Sequence, residues 1–444
     1  MSVYDEYRYK LRTADEAVRL VKNGDWVDYA SNNGFPKTLD AALAKRRDEL
    51  WGVKIRGNLI PGPIQVAECD TGFEHFVYNS WFCSAYERRL IDAHRAFFIP
   101  MDFRNMGAYY ENYLTVNVAM LAVTPMNDKG YFSRSTCQGL PKAIIDKADI
   151  VILEVNEALP WMCGGEESYV HISEADVVVE AGSYPLLEMK APRPSETEVR
   201  IAQNLLPFIK NGATVQLGIG GVPNALGELI ADSDLKDLGM HTELAADGYL
   251  AMYRAGKLTN RCKTLHPGKS VAAIAMGTRD FYDWIDHNDE FLGLPLSYVN
   301  DPHVLAKNNS MISINGCLNV DLYGQVNAES VGFRQISGTG GQLDFVSGAV
   351  HSAGGKAFLC LPSTHTGKDG TVQSRIVPHF NMDIITTPRS MCHYIVTEYG
   401  AVNLAGLTTW ERAEALISVA HPDFRDGLIK NAQEQHIWLP SNKR

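Results

Sequence analysis

What most restricts the folds open to this chain is an internal echo, because a repeated order of segments forces a repeated architecture. Lys22 to Leu43, KNGDWVDYASNNGFPKTLDAAL, aligns with Lys210 to Leu229, KNGATVQLGIGGVPNALGEL, when a one-residue gap is allowed before the proline. Both stretches read as strand, Gly/Asn turn, proline, helix. Further on, VAMLAVTPMNDKGYFS has the layout of MISINGCLNVDLYGQVN, and KADIVILEVN resembles GKAFLCLPS. Any α/β chain reuses strand, turn and helix, but the shared Lys-Asn-Gly opening and the collinear order favour duplication.

A duplicated chain of 444 residues exceeds the length at which one hydrophobic core keeps growing, so two domains are expected. Short runs such as IVILEV, TVQLGI, MISING and HYIVTEY are rich in β-branched residues and bounded by Gly or Asp. They alternate with helical stretches such as TLDAALAKRRDEL and NALGELIADSDL. This alternation predicts βα units and a largely parallel sheet in each half, an α/β fold of two duplicated open domains. The expected domains are residues 1–190 and 195–444. Their boundary falls in Glu188 to Glu198, EMKAPRPSETE, where two prolines and clustered charges precede an amphipathic helix predicted over Val199 to Lys210.

Composition removes several function classes. With 45% hydrophobic and 21% charged residues and no low-complexity tract, this is the profile of an ordinary globular protein. A formal net charge of -11 argues against nucleic acid as a partner and leaves any anionic ligand to be held by local groups. No stretch approaches the roughly 20 apolar residues that span a bilayer, and the start, MSVYDEYRYKLRTADEAV, is too charged for a signal peptide, so the expected location is the cytoplasm, with no membrane partner. Eight cysteines show no CxxC pair and thirteen histidines no HxxxH or HExxH spacing. They read as reduced cysteines, mostly small buried hydrophobes, with no metal site expected.

Three stretches could carry chemistry. In QLGIGGVP, Gln216 to Pro223, glycines between a strand and a helix let backbone N–H groups face a negatively charged ligand. A tight strand-to-helix connection without a ligand would use the same glycines. The third glycine of a dinucleotide fingerprint is replaced by Pro223, which counts against a nicotinamide-dependent dehydrogenase. In HTELAADG, Glu243 follows a helix expected to end near Leu238 and Gly239; it is either an oriented nucleophile or a solvated surface acid. In GTGGQLDF, Gly338 to Phe345, glycines before a helical pattern offer N–H groups as oxyanion donors, or simply meet a need for positive φ. Asn300 in SYVNDP reads as an amide donor or as a turn former before Pro302. Lys368 in HTGKDGTVQSR suits a phosphate but equally a solvated loop. Glu398 in IVTEYG ends a strand, and its surroundings cannot be read from the chain.

Taken together and in order, QLGIGG, HTELAADG, DLYGQVNAES, GTGGQLDF, KDGTVQSRIVP, HYIVTEYG and the ending AEALISVAHPDFRDGLI resemble the family I CoA-transferases over essentially the whole chain. The resemblance is to the branch with butyryl-CoA:acetate and 4-hydroxybutyrate CoA-transferases and the acetyl-CoA hydrolase/transferase group. It implies two duplicated α/β domains facing each other across an active-site cleft. It further implies that Glu243 is the nucleophile, that Gly341 supplies a backbone N–H to the oxyanion, and that the Asn300 side chain is a second donor. By the same resemblance, Gly218, Ile219, Gly220, Gly221, Val222, the backbone near Leu318, Gly341 and Lys368 contact CoA. Acyl-CoA and short-chain carboxylates would be the substrates, CoA both substrate and covalent intermediate, with no tightly bound cofactor and a homodimer or homotetramer as the assembly. Butyryl-CoA as donor with acetate as acceptor is the first expectation, 4-hydroxybutyrate the next. A hydrolase using the same glutamate shares every motif, and a non-catalytic CoA-binding protein would require Glu243 to lie away from the glycine turns.

Overall fold

The computed structural model describes residues 1–189, 193–439 and 441. Two compact units emerge, and they are not simple halves of the chain. The first comprises Met1–Met189, Val271–Val299 and Gln335–Gly340; the second comprises Lys190–Ser270, Asn300–Arg334 and Gly341–Arg444. The first change of unit coincides with the stretch expected to be the boundary, of which residues 190–192 lie outside the described residues.

The first unit is built on seven strands: β1 (Trp26–Tyr29), β2 (Val53–Gly57), β3 (Phe76–Ser80), β4 (Phe97–Phe98), β5 (Val116–Val123), β6 (Ala148–Val155) and β7 (Val177–Glu180). They lie in the order β4-β3-β2-β1-β5-β6-β7, with every pairing parallel. In β5, VNVAMLAV, all but one residue is buried, the continuous apolar run expected of a parallel strand covered on both faces. Chain direction across the sheet reverses beside β1: the strands after it are added on one side as far as β4, and β5 then opens the other side.

The core of this unit also holds charge. Arg56 grips the buried Asp28 with two bonds, from Nε to Oδ1 at 2.9 Å and from Nη2 to Oδ2 at 2.8 Å, while the Tyr110 hydroxyl donates to Oδ1 at 2.5 Å. Such a fork-on-carboxylate pair satisfies both ions inside the protein.

In the second unit, β8 (Thr214–Leu217), β9 (Gly239–Ala245), β10 (Met311–Gly316), β11 (Lys356–Cys360), β12 (Tyr394–Thr397) and β13 (Gly400–Asn403) are neighbours in the order β9-β8-β10-β11-β12-β13. All pairings are parallel except the closing hairpin β12/β13. The run β9-β8-β10-β11 repeats β2-β1-β5-β6 of the first unit. The echoed segments occupy equivalent places, since KNGDWVDY and KNGATVQL contain β1 and β8, and the other two pairs contain β5 with β10 and β6 with β11. The duplication is borne out in topology.

Helix ends follow local chemistry more closely than the expected ranges did. The helix expected over Val199 to Lys210 instead spans Glu196–Leu205, here α1, because Ser195 and Glu198 form a reciprocal capping box. It gives way to a 3-10 turn at Leu206–Phe208, which contains Pro207. The second-unit counterpart of the first strand-to-helix turn leads into α2 (Gly221–Asp232), and α3 (Asp247–Arg254) follows β9. Among the described residues no helix is long and apolar enough to cross a membrane.

Candidate active site

Glu243 lies within a strand, not after a helix as the sequence suggested. The helix α2 ends at Asp232, and Gly239–Ala245 is β9. This strand is hard to see in the chain because Thr242 is its one β-branched residue, so strand propensity is nearly silent. Parallel pairing to β8 holds it in place. The polar side chains are absorbed where they stand: His241 is buried with Nδ1 3.3 Å from Asn308 Nδ2, and Thr242 Oγ1 donates to Leu244 O at 3.1 Å.

Asn300 reaches the glutamate from another element. Its Nδ2 donates to Glu243 Oε2 at 2.6 Å, short even for a bond to a carboxylate. Asn300 is fully buried. Its neighbour Asp301 caps the helix Pro302–Leu305 by accepting from His303 N, while the Asn300 amide is the group bonded to the glutamate.

The third component is Gly341. It is the N-cap of α4 (Gln342–His351), so its N–H belongs to the donors that a helix start leaves without an intrahelical partner. A Cβ added to Gly341 would stand 2.1 Å from Glu243 Oε2 and 2.2 Å from Asn300 Nδ2. Only glycine lets carboxylate, carboxamide and backbone come this close. Three candidates far apart in the chain therefore meet at one carboxylate, which accepts from the Asn300 amide and lies against the first residue of a helix start.

The first glycine turn has local explanations of its own. Gly218 N donates to Ile314 O at 2.8 Å, and Leu217 N is taken by the Tyr249 hydroxyl at 2.7 Å. Gly220 has φ 120°, open in practice to glycine alone. A Cβ on Gly221 would lie 2.0 Å from Glu198 Oε1. The carboxylate of α1 thus rests against the first turn of α2, where an external anion would otherwise be favoured. Ile219 is exposed and Val222 buried, and no acceptor is found among the described residues for the amides of 219–222.

Other candidates are dispersed. The Leu318 backbone is engaged on both sides, its N–H donating to Asn327 O at 2.8 Å and its carbonyl accepting from Arg375 Nη1 at 2.8 Å. Lys368 is exposed in the turn of the hairpin Thr364–Thr366/Val372–Ser374. Glu398, which the sequence could not place, accepts from Ser363 N at 2.9 Å and Ser363 Oγ at 2.5 Å. Sequence reading passed over Glu198 and Tyr249; the Ser-x-x-Glu box at Ser195 was the signal available for the former.

Comparison with known proteins agrees over the whole length. Residues 1–187 match the acetyl-CoA hydrolase/transferase N-terminal domain and residues 277–432 its C-terminal domain. The chain is 46% identical to butyryl-CoA:acetate CoA-transferase of Anaerostipes caccae, covering 100% of both chains. It is 40% identical to 4-hydroxybutyrate coenzyme A transferase of Clostridium kluyveri, over 97% of this chain and 98% of that one. The crystal structure of RipA from Yersinia pestis is similar with a TM-score of 0.90 at 35% identity, covering 98% of this chain and 100% of that chain. With both domains matched, the chain belongs to the acetyl-CoA hydrolase/transferase family.

Proposed function

We propose that this protein exchanges CoA between a short-chain acyl-CoA and a carboxylate through a covalent thioester on Glu243, with butyryl-CoA as donor and acetate as acceptor. The observation that carries the reading is the convergence of Glu243, Asn300 Nδ2 and the side-chain-free Gly341. The substrate pair follows the relative from Anaerostipes caccae.

Swapping CoA between two acids requires the thioester bond energy to be kept from water, and a covalent relay does so. A carboxylate oxygen of Glu243 attacks the thioester carbonyl, the C–S bond breaks, and an acyl-glutamyl anhydride and CoA thiolate result. The thiolate then attacks the glutamyl carbonyl, the anhydride C–O bond breaks, and butyrate leaves as the carboxylate. Acetate attacks the Glu243 thioester and reverses the sequence, giving acetyl-CoA and free Glu243. Both halves pass through tetrahedral oxyanions, for which the Gly341 N–H and the Asn300 amide are the donors. Asn300 also holds the carboxylate in one orientation before attack, lowering the entropic cost of reaching the reactive geometry. Gly218 to Val222 and Lys368 are proposed CoA contacts, the turn offering exposed amides and the lysine a mobile charge for phosphate.

The test is to incubate the protein with butyryl-CoA alone, reduce with borohydride, and locate the modified residue by peptide mass spectrometry, with Glu243→Ala as control. Reduction at Glu243 that disappears when acetate is added first supports the relay. An unmodified glutamate with butyryl-CoA and a panel of other acyl-CoAs, all left intact, sinks it.

A further inference from the structure

We infer that Arg134 is the positive pole of an internal site for a small monoanion, a halide or a short carboxylate, in the first unit. Arg134 is 1% exposed, and its Nε, Nη1 and Nη2 are all buried without a hydrogen-bond partner among the described residues. A buried cation of this kind is tolerated only when countered. The same unit shows what countering looks like, for the equally buried Arg56 holds Asp28 bidentately.

Among the described residues no carboxylate does this for Arg134. The acidic groups whose charge reaches it are Asp146, Glu167 and Glu174. Asp146 is paired with Lys142, and Glu174 caps its own turn through His171 N at 2.8 Å while lying 3.7 Å from the same lysine. Burial pushes the guanidinium down to about 10, so the Cys137 thiol and these carboxylates together do not offset its desolvation.

Position supplies a second, independent indication. Arg134 follows Ser133, whose N–H donates to Thr124 Oγ1 at 2.9 Å and whose carbonyl accepts from Thr124 N at 3.1 Å, directly beyond β5. Two residues on, Thr136 Oγ1 donates to Asn32 Oδ1 at 3.0 Å, and Cys137 Sγ lies 3.0 Å from Ser31 Oγ, directly beyond β1. Arg134 therefore belongs to a loop across the carboxyl ends of β1 and β5, the point where the strand order reverses and where open α/β sheets bind ligands. In the second unit the GIGG turn follows β8, the counterpart of β1. Further along the same loop, Gln138 spends its amide N–H on Ser135 O at 3.0 Å and leaves Oε1 without a partner among the described residues.

Thermal unfolding of the intact protein is to be followed against sodium chloride, acetate and butyrate at constant ionic strength, balanced with a bulky sulfonate. Wild type, Arg134→Gln and Glu243→Ala are compared. The expected result is a saturable rise in midpoint of about 5 °C at a hundred times Kd, retained in Glu243→Ala and absent in Arg134→Gln. Retention without Glu243 separates this site from the proposed acyl-transfer centre, so either reading can fail alone. A response to chloride as well as carboxylates identifies a general anion site; a response to carboxylates alone identifies a carboxylate site. Indifference of the wild type to all three anions, or an equal response in Arg134→Gln, means a guanidinium solvated by water and overturns the inference. Should Arg134→Gln fail to fold, anomalous diffraction from bromide-soaked wild-type crystals decides: a peak about 3.3 Å from the guanidinium nitrogens supports the site, and its absence refutes it.

Discussion

A methyl group on Gly341 would fill space already held by Glu243 Oε2 and Asn300 Nδ2. The glutamate can yield only by swinging away and breaking its 2.6 Å bond to Asn300. Gly341→Ala keeps its backbone N–H but displaces the Glu243–Asn300 pair, and is therefore expected to lower kcat for butyryl-CoA:acetate exchange by about 10²- to 10³-fold, the scale of a disrupted oxyanion site. The KM for acyl-CoA and the unfolding midpoint should change far less, because the N-cap has left-side φ of -105° and accepts alanine without backbone strain. Steady-state kinetics beside a thermal melt checks both. Near-normal kcat in the variant would remove Gly341 and the crowding around Glu243 from the mechanism.

Helix starts and strand supports bring two further expectations at the scale of elements. Alanine at the first position of a helix ordinarily improves on glycine. At Gly221 the sign reverses, because the new Cβ meets Glu198 and that carboxylate is held by Ser195 in the capping box of α1. Gly221→Ala should cost about 1 kcal/mol, the worth of a cap, and Gly221→Ala in a Glu198→Ala background should cost nothing more. Denaturant titrations of the four proteins close this cycle; additive effects would mean the two residues do not meet.

Lys263 supports β9 differently. Its Nζ donates to Met240 O and Lys269 O, each at 2.7 Å, from a buried position. Desolvation pushes this amine down to about 7, against about 10.4 in an unfolded chain. Below about pH 7 both states hold the proton and the full cost of burying charge is present. Between about 7 and 10.4 the unfolded chain binds the proton that the folded chain has released, so stability rises with pH through that window. Relative to Lys263→Met, the wild type should gain stability between pH 7 and 10. Urea midpoints at several pH values read this directly, and parallel pH curves for the two proteins would mean that the amine does not titrate there.

At the scale of the whole molecule, the first unit cannot be cut from the chain at residue 189. Residues 271–299 supply backbone partners to it: Ala273 O accepts from Gln138 N at 3.0 Å, Ala275 N donates to Thr136 O at 2.9 Å, and Leu296 N donates to Gly139 O at 3.0 Å. A fragment of residues 1–189 loses these bonds and exposes the buried residues around Cys137 and Met162. It should show no cooperative melt by near-ultraviolet circular dichroism. A sharp transition close to that of the intact protein would mean that residues 1–189 fold without residues 271–299. The chain changes unit immediately before Asn300 and immediately before Gly341, so both partners of Glu243 are set where the second unit is re-entered.

Duplication, parallel strands and the glycine turns were legible in the amino acids because each depends on short-range pattern: β-branched runs, Lys-Asn-Gly openings, a proline after the turn. The Ser195 capping box is written in the same local pattern, and it starts α1 at Glu196, ahead of the helix expected from Val199. The strand bearing Glu243 was not, since its stability comes from pairing with β8 and from burial of His241 and Thr242, neither of which is a local property. Two similar α/β units, and the residues chemically suited to a site, follow from the order of amino acids alone. The meeting of Asn300 and Gly341 at the Glu243 carboxylate, and the burial of Arg134 without a counter-charge among the described residues, arise in the folded chain. The cause is one and the same: strand order and chain re-entry bring together residues as far apart as Glu243 and Asn300, 57 positions distant, and the desolvation of a charge exists only once the surrounding fold has closed over it.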